Sequence, residues 1–369
     1  MSTFFRMALL LTACSMICGS VFAQDFVPQW QYEAGNSFGV LSMSPNAQYI
    51  AVQVYVWLNN NPSAPWSHEV HLLDASGNPI WKKKWDAPED DYVWGLSVSN
   101  QGDVAVVSSA EPFNMALRGK DNPAVVYLID KNGKVLFRNV YGRNITMFSG
   151  VSITPDGNNL IFAADKGSSL ILLDRNGKRL WSDQADNAKC MAPSIAQGGN
   201  LIFYEGNAHE VCVWNGQDKK WWSAACYYQL CRISPNGQWV AAIVESDDPL
   251  ADAFKGSCEN YGKISIYNSH GRIEVSGGRT CTTHDFAVTD NGMVVDLYSD
   301  MQPNVYHVRK FDLNKPDETP LSIYKFETPS GKHGGGSRSL EISSDGQVVT
   351  ISTPYTIYYL KAKILEKKW

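Results

Sequence analysis

After residue 23 the sequence has no uninterrupted apolar run near the roughly 20 residues that a membrane-crossing helix needs, so no transmembrane segment is expected. A basic stripe is missing too. The chain carries 32 Lys and Arg against 37 Asp and Glu, net charge -5, and its cations are scattered; nucleic acid is therefore not expected as a partner. Metal-ligand spacing is lacking: Cys226 and Cys231, the nearest pair, have four residues between them and no second pair or neighbouring His. His68 and His71 stand three apart on a presumed strand, hence on opposite faces, and no metal site is expected. Gly334-Gly335-Gly336 lacks the strand-loop-helix setting and the Lys-Ser/Thr ending of a phosphate loop, and reads as a connection.

What is present begins with a leader. One Arg at position 6 is followed by an apolar, uncharged run from Met7 to Phe22, and Val21-Phe22-Ala23 is a small-residue cleavage site. Residues 1–23 therefore read as a secretory signal peptide, and the mature chain as periplasmic or secreted. Leu11-Thr12-Ala13-Cys14 resembles a lipobox, but the apolar run before Cys14 is short, so lipidation there is the lesser reading. Past the leader, six cysteines remain, all between 190 and 281, and an even number in an exported chain implies disulfides. A two-residue turn pairing Asn268 with Gly271 would place Cys258 opposite Cys281, which makes these two the favoured pair. The pairing of Cys190, Cys212, Cys226 and Cys231 stays open, with Cys190 and Cys231 the weaker second choice.

One phrase recurs along the chain: an apolar strand, a Ser-Pro-Asn-Gly-like turn, and a second apolar strand. It appears in seven copies, whose last apolar residues before the turn are Met43, Val98, Ile153, Ile195, Ile233, Val288 and Ile342. The intervals run from 38 to 55 residues, a period at which a repeated unit of several short strands builds a propeller blade or similar array. A second phrase follows in many units, an apolar strand, Asp, a Gly turn and a strand with an aromatic. Leu72-Leu73-Asp74-Ala75-Ser76-Gly77-Asn78-Pro79-Ile80-Trp81 is one example and Leu172-Leu173-Asp174-Arg175-Asn176-Gly177-Lys178-Arg179-Leu180-Trp181 another. Asn-Gly and Ser-Gly suit the positive backbone angles of tight hairpins, so each unit reads as four antiparallel strands, A to D.

These phrases resemble the repeats of PQQ-like and WD-repeat-like β-propellers over nearly all of the mature chain. The resemblance implies an all-β, seven-bladed propeller of four-stranded antiparallel blades, with strand A lining the channel and strand D outermost. Residues 24–369 would form a single domain, with blades starting near 35, 88, 145, 188, 228, 280 and 336. Ring closure needs one blade made from both ends of the chain. Phe26–Tyr32 looks like the missing D strand, with Lys363–Trp369 as the rival. The D-strand aromatics Trp81, Phe137, Trp181, Trp221 or Trp222, and Tyr324 are expected to pack between blades.

The longest inserts, 57–67, 110–122 and 245–261, fall between strands B and C, and B–C and D–A connections share one face of such a propeller. Function is therefore expected on that face. Candidate binding residues are Trp57, Trp66 and Phe113 from the inserts, and Asp91, Trp94, Arg143, Lys189, Tyr227, Tyr228, His284, Asp285 and Arg338 around the channel mouth. The favoured function is a non-catalytic, exported propeller binding an envelope or extracellular protein, or a glycan. The alternative is a polysaccharide lyase acting on acidic glycans, with His284, Tyr228 and Arg143 abstracting a proton and stabilising an enolate. A PQQ-dependent dehydrogenase is disfavoured, since the count of phrases is seven, no adjacent Cys-Cys pair occurs and no calcium-ligand set is recognisable. No cofactor is expected.

Overall fold

The computed structural model describes residues 26–34, 37–57, 66–84, 92–109, 124–141, 150–164, 169–184, 190–205, 210–214, 220–225, 231–244, 263–268, 270–271, 273–279, 283–299, 305–311, 321–327 and 339–363. Their strands form seven four-stranded antiparallel sheets. Six of these are meanders of four consecutive strands; the remaining sheet is composite, its three strands from the end of the chain completed by Phe26–Tyr32. The blade count read from the phrases is accordingly restated: six blades are continuous in sequence, and the phrase at Ile342 heads only three strands. The strand that completes them pairs from Phe26 opposite Ala362 to Tyr32 opposite Ile357, with a bulge at Gln29.

Burial follows strand position. In the second blade Val104–Ser109 and Ala124–Ile129, strands B and C, are buried at every residue, because both faces of the sheet are covered by neighbouring blades. Unbroken apolar runs of this kind mark strands with no solvent face. The D strand Val135–Tyr141 instead alternates between exposed and covered positions, burying Phe137. Trp81, Phe137, Trp181 and Tyr324 each pack into a cluster that joins their own blade to the next; the side chains of Trp221 and Trp222 lie outside the described residues.

The phrase itself is a self-capped turn. Ser44, Thr154, Ser234, Thr289 and Ser343 each donate a hydroxyl hydrogen to the Asn or Asp two residues on, at 2.5–2.8 Å, and accept a backbone N–H from the far side of the turn. Glycine supplies the left-handed residue in most copies; at the first, Ala47 takes it with φ 55°. The turns also bond one another. Around the ring the links are Asn46 N–H to Asn100 Oδ1, Asn100 N–H to the Pro155 carbonyl, and Gln197 Nε2 to Asp156 Oδ2. They continue with Gln197 N–H to the Pro235 carbonyl, Asn236 N–H to Asp290 Oδ1, Asp290 N–H to the Ser344 carbonyl, and Ser344 N–H to the Pro45 carbonyl. All seven A–B turns are thus tied into one hydrogen-bonded girdle.

The C–D turns differ from the two-residue hairpins expected. Gly77, Gly133 and Gly177 have positive φ while the Asn and Ser before them do not. Each Asp carbonyl accepts the Gly N–H, and each Asp N–H reaches the carbonyl of the residue after the Gly. This is a type I turn with a glycine bulge, a three-residue loop. The same drift corrects the register used for the cysteines. Tyr267 pairs with Ile273 rather than Arg272, Ser265 with Ser276, and after a second bulge Lys263 with Arg279. Cys258 and Cys281 themselves lie outside the described residues, so the register no longer argues for that pair.

Candidate functional site

The A strands are Ser37–Met43, Tyr92–Val98, Val151–Ile153, Cys190–Ile195, Cys231–Ile233, Thr283–Val288 and Ser339–Ile342. Together they wall an axial cavity of about 290 Å³. The residue just before the last apolar residue of each A strand is Ser42, Ser97, Ser152, Ser194, Arg232, Ala287 or Glu341, and all seven line the cavity. Around four blades the cavity wall is hydroxylic. Three of those hydroxyl oxygens accept a backbone N–H from the next blade: Ser42 from Val98, Ser97 from Ile153 and Ser152 from Ile195, at 3.1–3.3 Å.

Of the remaining three blades, two replace the serine with charge, Arg232 and Glu341, and one with Ala287. Arg232 Nη2 donates to Asp285 Oδ1 at 2.7 Å and Nη1 to its neighbour's carbonyl, that of Cys231, at 3.1 Å. Asp285 also serves the backbone, since Oδ1 accepts the Phe286 N–H as well and Oδ2 accepts the Leu340 N–H of the adjoining blade. Its side chain is 9% exposed and that of Arg232 28%, the latter opening on the cavity. Burial pulls the Arg232 pKa down, but the carboxyls of Asp285 and Glu341 outweigh it and raise it. Burial pushes the Asp285 carboxyl up, against the pull of Arg232 and the two backbone N–H groups. Glu341 also lines the cavity, and no hydrogen bond to its carboxyl occurs among the described residues. Burial, reinforced by the Asp285 charge and opposed by Arg232, pushes its pKa up to about 8.

Glu341 is therefore a proton-holding carboxyl at neutral pH, with a consequence for stability. Its folded pKa lies above its unfolded value, so its contribution is complete at low pH and is lost as pH rises from the ordinary carboxyl range through about 8. The stability advantage of Glu341→Gln over the native chain should be small at pH 5, grow steadily to pH 8 and then level off. Parallel denaturant titrations would show this; a gap constant with pH would mean that Glu341 ionises normally.

Of the candidates named at the channel mouth, the structure describes few side chains. Asp285 is present, buried against Arg232 rather than offered to solvent. Trp94 lines the cavity half-buried, its indole N–H on Ser109 Oγ at 2.8 Å. Trp57 and Trp66 stand opposite each other in the last pair of their ladder; their side chains are not described, nor is that of His284. Asp91, Phe113, Arg143, Lys189, Tyr227, Tyr228 and Arg338 lie outside the described residues. Arg232 and Glu341 went unread in the sequence, although a signal was there: they break the serine that precedes the apolar residue in four of the phrases. His68 and His71 face different partners. His68 Nδ1 meets Gln53 Nε2 and the Val93 N–H, and burial lowers its pKa to about 4, which leaves the ring neutral with its proton on Nε2. His71 bonds the Tyr32 hydroxyl and Glu69.

A family model described as outer membrane protein assembly factor BamB matches residues 67–226, a little under half of the chain. That stretch covers the last two strands of the first blade and the whole of the next three. The chain is a PQQ-like β-propeller. No curated protein matches it. The quinone for which this class of propeller is named carries several carboxylates and works with a metal ion. Among the described residues no three His, Cys, Asp or Glu side chains converge to hold such an ion, so the residues present do not fit that group.

Proposed function

We propose that this propeller is an exported, non-catalytic binding protein of the cell envelope, engaging a protein or glycan partner through the face that carries the long B–C segments. The observation that carries the reading is the asymmetry of the ring. On one face the seven A–B turns spend their polar groups on one another. Antiparallel pairing turns the strand ends flanking 58–65, 110–123 and 245–262 to the opposite face. Variable connections on a rigid scaffold are where recognition is usually built, and Trp57 and Trp66, paired at the root of one segment, supply residue types enriched at interfaces. The leader at 1–23 supports export. The matching model's description, an assembly factor of the outer membrane, favours a protein partner over a glycan and an envelope location.

The test is affinity capture from an envelope extract, with the wild type beside a variant lacking residues 110–122. The wild type should retain a discrete partner that the deletion loses, while both unfold at the same temperature. Equal capture by the two would overturn the assignment of this face.

A further inference from the structure

We propose that the axial cavity is a binding site for a small oxyanion, a carboxylate or a tetrahedral oxyanion group, held between Arg232, Glu341 and the hydroxyls of Ser42, Ser97, Ser152 and Ser194. The reading is independent of the partner-binding face, since it concerns the interior of the ring.

The wall of the cavity is rich in donors and poor in acceptors. Ser42, Ser97 and Ser152 already use their oxygens to accept backbone N–H groups, so each has its hydroxyl hydrogen left to give. Arg232 commits one N–H to Asp285 and one to the Cys231 carbonyl. A guanidinium carries five, so three remain on a side chain that lines the cavity. Both oxygens of Asp285 accept hydrogen bonds, from Arg232, Phe286 and Leu340, so this carboxylate neutralises part of the field with most of its lone pairs already engaged. Glu341, holding its proton, is a donor as well. Between Arg232 and Glu341 the equivalent position is Ala287, whose methyl group leaves the space beside both of them open. A volume of about 290 Å³ admits a small molecule or the acidic end of a larger one, not a polymer chain.

Among the described residues, Arg232 and Asp285 are the charged groups acting on Glu341. Once Glu341 loses its proton the cavity gains a negative charge where the anion sits, so binding is coupled to that proton. Titration calorimetry of the full chain with sodium acetate, and separately with sodium sulfate, tests the site at constant ionic strength and at pH 6.5 and 9. Neither probe titrates in this range, and their comparison separates a planar carboxylate from a tetrahedral group. At least one should bind saturably at one site, ten-fold or more weakly at pH 9 than at pH 6.5. Glu341→Gln should keep the affinity of pH 6.5 and lose most of its pH dependence. Ala287→Leu, which fills the space and leaves every charge in place, should abolish binding. Absence of saturable binding by both probes, or binding that Ala287→Leu leaves intact, overturns the proposal. Should Ala287→Leu fail to fold, Glu341→Gln decides: a loss at pH 9 as large as the wild type's overturns it.

Discussion

Trp30→Ala is expected to destabilise the protein by about 3 kcal/mol, the cost of truncating a large packed aromatic. Trp30 lies opposite Tyr359 in the closing ladder and stacks on it, ring centroids 4.8 Å apart and planes 10° from parallel. Its indole N–H reaches across to the next blade, donating to the Ala75 carbonyl at 3.0 Å. Its ring also lies over Gly77, where an added Cβ would sit 2.7 Å from it. One side chain therefore joins the composite blade to the first blade. Trp30→Phe keeps the stack and loses the hydrogen bond, and should cost only about 1 kcal/mol. Denaturant midpoints of the two variants measure the difference; equal losses would mean that the stack contributes nothing to closure.

Asp285→Ala should be as damaging or more so, on the order of 3–5 kcal/mol, because breaking a buried ion pair leaves an uncompensated charge. The loss is compounded: the N–H groups of Phe286 and Leu340 lose their acceptor along with Arg232. Leu340 belongs to the next blade, so the junction between the last two blades is weakened together with the cavity wall. A double variant with Arg232→Met should recover part of the loss by removing the stranded cation. If the double variant is as unstable as the two single losses added together, the pair is not coupled as its geometry implies.

Much of the architecture could be read from local chemistry. The turn phrases at Ser44, Thr154, Ser234, Thr289 and Ser343 work within five residues, through a hydroxyl that caps its own turn, so they are visible in sequence. The D-strand aromatics were readable because a Trp or Phe after a glycine turn has one large apolar face to bury. Register was not readable to the residue. The Asp-x-x-Gly phrase is compatible with two-residue and three-residue loops, and the choice, made by the glycine's positive φ, shifts every partner beyond it. The cavity was least accessible. The sequence puts Asp285 beside His284 at the channel mouth, but its partner is Arg232, 53 residues away, and Glu341 comes from a third blade. Such a cluster is brought together only by the ring, and its trace in the sequence is a broken serine pattern that means nothing until the strands are aligned around an axis.

The composite blade sets an order of events. Phe26–Tyr32 is made before every other strand of the ring, and its ladder partner Ile357–Ala362 is made last. During synthesis the six continuous meanders can form one after another from neighbouring residues, whereas the first strand must stay unpaired until the end of the chain emerges. Its pairing carries the longest sequence separation among the described strand pairs, and contacts of that kind form late and slowly. Until then both flanks of the unfinished ring expose strand edges and apolar faces, a hazard for pairing with other chains. The last step of folding is thus also the step that removes the main route to aggregation.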